Sequence, residues 1–116
     1  MKPRIGFFDF TGCEGCQLSV LNLEDQFQEL NDLVDIAEFR EVRSATAGDL
    51  DIAFVEGSVC GREQELRLRA IRDRSRLLVA LGACADTTGV NALAGLRDLD
   101  ELQREVYGSG SAVAAA

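Results

Sequence analysis

RIGFFDFTGCEGC, at Arg4–Cys16, is the stretch that decides the class of fold. Its first part, Arg4–Phe8, is rich in bulky apolar residues, which predicts a β-strand. Its second part, Phe10–Cys16, carries two glycines and two cysteines, which is typical of a loop. The apolar residues that follow share the spacing of one helix face: Val20, Leu23, Phe27 and Leu30. This spacing predicts a helix over residues 17–30.

The alternation of strands and helices continues along the chain. Further strands are predicted at Val34–Phe39, Leu50–Val55 and Leu77–Leu81, and further helices at about Glu63–Ser75 and at Leu99–Val106. Leu77–Leu81 (LLVAL) contains no polar residue, which predicts a central parallel strand buried on both faces. Val34–Phe39 is more polar, so we expect it at an edge of the sheet. Asp98 and Glu101 have the spacing of a capping pair before the last helix.

The predicted fold class is α/β, in a single domain. Strands that alternate with helices form βαβ units and a mostly parallel sheet, here of four strands. A chain of 116 residues has room for one such domain, which we place at residues 1–107. Residues 108–116 are glycine, serine, alanine and one valine, which predicts a flexible low-complexity tail.

The charge balance argues against nucleic-acid binding. The chain carries 20 acidic and 12 basic residues, a formal net charge of −8, whereas a nucleic acid is normally met by a basic face. The arginines between Arg62 and Arg76 are interleaved with acidic residues, as on a solvated helix. No apolar run reaches the roughly 20 residues of a membrane helix, and the N-terminal residues lack a secretory or twin-arginine pattern. We therefore expect a cytoplasmic protein.

Four cysteines and no histidine limit the chemistry open to this chain. Without histidine, Cys-His catalysis, Ser-His-Asp catalysis and imidazole metal sites are all excluded. Cys13 and Cys16 follow the first predicted strand, Cys60 the third, and Cys84 the fourth. In a parallel sheet such loops lie beyond the carboxyl ends of the strands, where ligands collect. If the first and third strands are neighbours, the four thiols converge.

A Cys-x-x-Cys pair with two further thiolates is the usual ligand set of a 4Fe–4S cluster. Three other interpretations stay open at this point. Cys13 and Cys16 would also suit a redox dithiol, and four thiolates would suit a structural zinc ion. Cys60 and Cys84 would also suit buried core positions without a ligand role.

Three acidic residues lie on the same predicted rim of loops: Asp9, Glu14 and Glu56. Carboxylates near a redox centre relay protons or contact a partner, but most loop acids only face solvent. A flavin also binds at this crevice in flavodoxin-like folds. Fold analogy alone does not justify assigning one here.

Four segments of the chain follow a recognisable family pattern: IGFFDFTGCEGCQLSVLNLED (Ile5–Asp25), DIAFVEGSVC (Asp51–Cys60), IRDRSRLLVALGACADTTGVNAL (Ile71–Leu93) and REVYG (Arg104–Gly108). Within them C-x-G-C-Q-L, V-E-G-S and L-G-A-C-A occur in a specific order. The chain thereby resembles the small subunit of cytoplasmic nickel–iron hydrogenases, especially the non-F420-reducing type. The related complex I subunit shares part of the pattern.

The resemblance implies a flavodoxin-like three-layer sandwich that holds a 4Fe–4S cluster proximal to the nickel–iron site of a separate large subunit. Such a chain transfers electrons within a hetero-oligomer to a downstream iron–sulfur or flavin carrier. It is not catalytic alone, because it holds no nickel ligands. By position, Cys13, Cys16 and Cys84 match family ligands, and Glu14 and Glu56 match family motifs that face the large subunit.

The chain departs from the family pattern at the fourth ligand. In the family this cysteine lies in a later Gly-Cys-Pro motif, whereas here no cysteine follows Cys84 and no proline follows Pro3. We therefore expect Cys60 to supply the fourth thiolate. The alternatives are an open or partner-supplied corner of the cluster, a cluster-less docking remnant, or a small dithiol redox protein using Cys13 and Cys16.

Overall fold

A computed structural model of the chain describes residues 1–39 and 48–108. Its four strands are β1 (Arg4–Asp9), β2 (Asp35–Phe39), β3 (Leu50–Glu56) and β4 (Ser75–Ala80). They form one parallel sheet in the order β2-β1-β3-β4. Ile5 of β1 pairs with Ile52 of β3, and Phe8 pairs with Val55. The predicted α/β class and the parallel sheet are confirmed. The first and third strands are neighbours, which is the condition for the four thiols to converge.

Helical segments connect and follow the strands: α1 (Gly15–Leu21), α2 (Asp25–Leu33), α3 (Arg62–Asp73), α4 (Ala83–Thr87), a 3-10 helix (Gly89–Leu96) and α5 (Leu99–Tyr107). Among the described helices, none combines the length and hydropathy needed to cross a membrane. Residues 109–116 of the predicted tail lie outside the described residues.

Two hydrophobic layers lie on opposite faces of the sheet. The first contains Phe8, Phe10, Ala37, Leu50, Ala53, Val55 and Ile71, with Leu68 and Leu78 at its margin. The second contains Ile5, Phe7, Ile36 and Phe39, with residues of α1 and α2 packed against it. Because successive strand residues point to opposite faces, α3 covers one face and α1 and α2 cover the other. This is the predicted flavodoxin-like three-layer sandwich.

The prediction that LLVAL forms a central strand is wrong. The strand, β4, lies at one end of the sheet order, and within the described residues no further strand pairs with its outer side. Leu77 on this strand is 53 % exposed. Apolar composition alone does not distinguish a central strand from an edge strand, because both have at least one covered face. The predicted edge position of β2 is confirmed.

The predicted helix over residues 17–30 is two helices, α1 and α2. Glu24 separates them with φ 52° and ψ −116°, a backbone conformation that no helix contains. Leu23, which the periodicity assigned to the buried stripe, is 42 % exposed at this break. Both α4 and the 3-10 helix follow β4 where only a loop was expected. The Asp98 cap is confirmed, since its Oδ1 accepts the backbone N–H of Glu101 at 3.0 Å.

Candidate metal centre

The four cysteines all follow carboxyl ends of strands. Cys13 lies in the loop after β1, and Cys16 lies in the first turn of α1. Cys60 lies in the loop after β3, and Cys84 lies in the first turn of α4, which follows β4. All four have free thiols, and Cys13 and Cys60 are exposed. The topology therefore places all four sequence-predicted ligands on one rim of the sheet.

Three of these thiols, those of Cys13, Cys16 and Cys84, lie close together. Burial raises the pKa of Cys16, and the carboxylate of Glu56 and then the thiols of Cys13 and Cys84 raise it further. Close approaches between the two loops show the same grouping: a Cβ on Gly12, next to Cys13, would lie 3.9 Å from Cys84 Sγ, and a Cβ on Gly82, two residues before Cys84, would overlap Cys16 Sγ. The structure thus brings into one group three residues contributed by two separate loops.

Glycines lie against each of the three thiols. The pairs are Gly15 with Cys13, Gly82 with Cys16, and Gly12 and Gly89 with Cys84. A Cβ on Gly15 would lie 3.2 Å from Cys13 Sγ, and a Cβ on Gly82 would overlap Cys16 Sγ. Residues without a Cβ therefore leave the space beside the thiols open to a bound group and to backbone amides.

Cys60 has a different local environment. Its backbone N–H donates to Oε1 of Gln64 at 2.7 Å, and Gln64 Nε2 lies 3.1 Å from Thr11 Oγ1. In contrast to the other three thiols, its Sγ is not among the nearest atoms to any described glycine other than its chain neighbour. Cys60 is exposed on the same rim, and its role as a fourth ligand stays a prediction.

A buried carboxyl group, that of Glu56, lies behind Cys16 and is 4 % exposed. Its Oε2 accepts the backbone N–H of Gln17 at 3.3 Å, and the carboxyl group also accepts from the amide and thiol of Cys16. Burial raises the pKa of Glu56 and the charge of Asp9 adds to this, although the hydrogen bonds oppose both. Within the described residues, Glu56 Oε1 and both side-chain polar atoms of Gln17 have no hydrogen-bond partner.

The other two rim acids are less exposed than most loop acids. Asp9 is 8 % exposed, and Arg67 donates to its backbone carbonyl at 2.6 Å while lying 3.7 Å from its carboxylate. Glu14 is half-buried and holds a left-handed conformation with φ 62° immediately before α1. These acids therefore belong to the packed end of the sheet rather than to a solvated loop.

The donor set fits a group held by thiolates. The three grouped side chains are soft sulfur ligands of the kind that iron–sulfur clusters take, and glycines border each of them. In the described part of the chain, no three His, Cys, Asp or Glu side chains meet the geometry of a single metal-ion site. A cluster requires wider ligand spacing than one ion, because its thiolates bind different iron atoms.

Sequence reasoning missed three residues near the thiols: Gln17, Ser58 and Asn91. Gln17 is 1 % exposed and Ser58 is 5 % exposed. Asn91 Nδ2 donates to Ser58 Oγ at 3.0 Å. Ser58 stands in the V-E-G-S motif, but nothing in the sequence pairs it with a residue of the 3-10 helix.

Curated relatives of the chain are hydrogenase subunits. The delta subunit of sulfhydrogenase 2 from Pyrococcus furiosus is 36 % identical over 108 residues, covering 92 % of this chain and 45 % of the relative. The delta subunit of the NAD-reducing hydrogenase HoxS from Cupriavidus necator is 29 % identical over 111 residues, covering 91 % of this chain and 51 % of the relative. The chain thus spans about half the length of these two proteins.

A solved structure and a family model agree with these relatives. The crystal structure of an NAD+-reducing [NiFe]-hydrogenase in the H2-reduced state contains a chain with a TM-score of 0.86 and 32 % identity. The match covers 98 % of this chain and 64 % of that one. The model of the NADH ubiquinone oxidoreductase 20 kDa subunit family matches residues 13–113, which include all four cysteines. The chain therefore belongs to the NADH ubiquinone oxidoreductase 20 kDa subunit family, together with the small, gamma and delta subunits of hydrogenases.

Proposed function

We propose that this chain is the electron-transfer small subunit of a nickel–iron hydrogenase-type complex and binds a 4Fe–4S cluster through Cys13, Cys16 and Cys84. Cys60 is the proposed fourth ligand. A bound cluster would supply one-electron transfer between a large subunit and a downstream iron–sulfur or flavin carrier. The observation that carries the proposal is the grouping of three thiols on one rim, each beside a glycine.

The residues of the chain contribute position and hydrogen bonds to this site. The first turns of α1 and α4 orient Cys16 and Cys84. Glu56 accepts hydrogen bonds from Cys16 and from the amide of Gln17, which fixes the start of α1 relative to β3. Burial of Glu56 and Gln17 also keeps water away from the inner side of the thiols.

The family and its relatives support a hetero-oligomer. The matched proteins are named as subunits of hydrogenases. We propose that the large subunit covers the cysteine rim, because exposed thiols such as those of Cys13 and Cys60 oxidise readily in a free monomer. The cytoplasmic location stays a prediction.

The dithiol alternative is less consistent with the site. A dithiol role would leave Cys84 without a function, although glycines border its thiol as they border those of Cys13 and Cys16.

The test is anaerobic reconstitution of the full chain with iron and sulfide, followed by counting both per chain. We expect about four irons in the wild type. Cys16→Ser and Cys84→Ser are expected to lose the cluster, because each removes a grouped thiol. Cys60→Ser is the matched comparison, since it removes a thiol from the same rim but outside that group. Circular dichroism confirms that each variant is folded.

The outcomes separate the open questions. Loss of iron in Cys60→Ser would identify Cys60 as the fourth ligand. Retention of iron in Cys60→Ser, with loss in Cys84→Ser, would assign an open or partner-supplied corner. A folded wild-type chain that takes up no iron would reject the electron-transfer proposal for this chain and favour the docking remnant.

A further inference from the structure

A hydrogen-bond network centred on Ser58 joins the three loops that carry the cysteines. Thr11 and Ser58 form an antiparallel bridge: Thr11 N–H donates to Ser58 O at 3.0 Å, and Ser58 N–H donates to Thr11 O at 2.7 Å. Ser58 Oγ lies 3.1 Å from the carbonyl oxygen of Cys84 and 3.2 Å from that of Thr88. The loops after β1, β3 and β4 therefore meet at one buried hydroxyl.

Asn91 closes this network from the 3-10 helix. Its Nδ2 donates to Ser58 Oγ at 3.0 Å and to Thr11 O at 3.0 Å, so both amide protons have partners. The Ser58 hydroxyl has a single proton, which it donates to the carbonyl of Cys84 or of Thr88. The Ser58 hydroxyl thus both accepts and donates a hydrogen bond, as expected for a buried polar group.

The approach of the loops also depends on Gly57. Its φ is 83°, and a Cβ there would lie 2.7 Å from the carbonyl carbon of Phe10 and 2.9 Å from Thr11 N. Contacts under 3 Å between a Cβ and backbone do not occur in unstrained structures. The backbone of the β3 loop is therefore in direct contact with the backbone of the β1 loop immediately before Ser58.

Helix α4 needs an anchor of this kind. It has only five residues, Ala83–Thr87, and isolated helices shorter than about 12 residues are marginal in water. No residue of α4 is buried, so a buried apolar face does not fix the position of Cys84. The polar contact available to this turn is that of Ser58 Oγ, 3.1 Å from the carbonyl oxygen of Cys84.

We infer that Ser58 and Asn91 are positioning residues that hold Cys84 beside Cys13 and Cys16 by tying the β4 loop to the β1 loop. The inference deepens the proposed function and rests on it, since it concerns the spacing of the proposed ligands. It assigns no contact between either residue and a cluster. Its direct consequence is a short distance between Cys84 and the Cys-x-x-Cys pair in the chain without a cluster.

The first test measures that distance in the cluster-free chain. In this experiment all variants carry Cys60→Ser, so that three thiols remain. The reduced protein is treated with dibromobimane, a reagent that cross-links two neighbouring thiols. Mass spectrometry then measures the yield of the products in which Cys84 is linked to Cys13 or Cys16. Ser58→Ala removes the hydroxyl, and Asn91→Asp removes the donating amide at nearly constant volume. We expect either change to lower the yield of the link about fivefold, the effect of losing one net hydrogen bond.

Ser75→Ala is the matched control. Ser75 is 7 % exposed, close to the 5 % of Ser58, and its hydroxyl donates to the carbonyl of Ile71 at 2.8 Å. It stands at the start of β4, at the opposite end of the sheet from the thiols. The control variant is expected to lose stability by a similar amount while its yield of linked Cys84 stays at the value of the Cys60→Ser parent.

Reconstitution provides a second readout. We expect Ser58→Ala and Asn91→Asp in the otherwise wild-type chain to alter the electron paramagnetic resonance spectrum and the midpoint potential of any bound cluster, and Ser75→Ala to leave both unchanged. A cross-linking yield in Ser58→Ala equal to that of the Cys60→Ser parent would overturn the inference. The inference would also be overturned if the yield fell as much in Ser75→Ala as in Ser58→Ala. A wild-type chain without iron would reject the proposed function alone, because the linking experiment still decides the positioning role.

Discussion

Gly82 precedes α4 with φ 84° and ψ 170°, a backbone conformation that residues with a Cβ almost never adopt. It is also the residue whose missing side chain leaves room for Cys16 Sγ. These two constraints are independent, since one concerns the backbone of residue 82 and the other concerns a neighbouring loop. Gly82 thus allows the start of α4 to pack directly against Cys16 of the Cys-x-x-Cys pair.

Gly82→Ala is expected to destabilise the cluster-free chain by about 1–3 kcal/mol, the range for backbone strain of this type. Displacement of Cys16 by the new Cβ adds to the loss. Denaturant unfolding followed by circular dichroism measures the free energy of unfolding. Gly95→Ala is the matched control, because a Cβ at Gly95 meets nothing within 4 Å. An equal loss in both variants would show that neither constraint at Gly82 matters.

The positions of the cysteines could be predicted from the sequence, but the hydrogen bonds that hold their loops together could not. The positions of Cys13, Cys16 and Cys84 after strand ends are visible in the order of elements, because parallel strands end at the same edge of a sheet. The contact of Ser58 with Asn91 depends on how two distant loops meet in three dimensions. No periodicity or motif encodes a single hydrogen bond of this kind.

At the scale of elements, the break between α1 and α2 is the clearest departure from the periodic pattern. The apolar spacing from Val20 to Leu30 has no interruption, so periodicity predicts one helix. The helix is nevertheless interrupted at Glu24, whose backbone has φ 52° and ψ −116°. These angles resemble those of the first central residue of a type II′ turn, where glycine is preferred.

Glu24→Gly is therefore expected to raise the free energy of unfolding by about 1 kcal/mol, since it relieves a strained conformation of a non-glycine residue. The gain is partly offset by the larger backbone entropy of glycine in the unfolded chain. Gln28→Gly, in the exposed interior of α2, is the matched control. It should lower the free energy of unfolding by about 0.5–1 kcal/mol. A loss of stability in both variants would contradict strain at Glu24.

Strand identities were easier to predict than strand positions. The four strands and their parallel direction follow from alternating apolar segments separated by helices. The pairing of β1 with β3 was only a condition for the thiols to converge, and the structure fulfils it. The edge position of β4 does not, because LLVAL is equally apolar whether or not another strand lies beside it. α4 and the 3-10 helix were also missed, since both are short and neither buries a residue.

At the scale of the whole molecule, β4 leaves one side of the sheet open. Leu77 on this strand is 53 % exposed, and no other strand of the described residues pairs with the outer side of β4. An unpaired apolar edge is a template for pairing with another chain. The net charge of −8 opposes such association through general repulsion. A test of the β4 edge therefore needs a control variant with the same change in net charge at another position.

Leu77→Lys is expected to reduce self-association of the cluster-free chain, because a lysine on an edge strand disfavours pairing between edges. Its aliphatic stem still covers part of the apolar surface, so the free energy of unfolding should change by less than about 1 kcal/mol. Light scattering over a range of protein concentrations measures the association. Leu33→Lys changes the net charge equally at a 70 % exposed residue at the end of α2. If both lysines reduce association equally, charge alone accounts for the effect and the β4 edge is not the site of pairing.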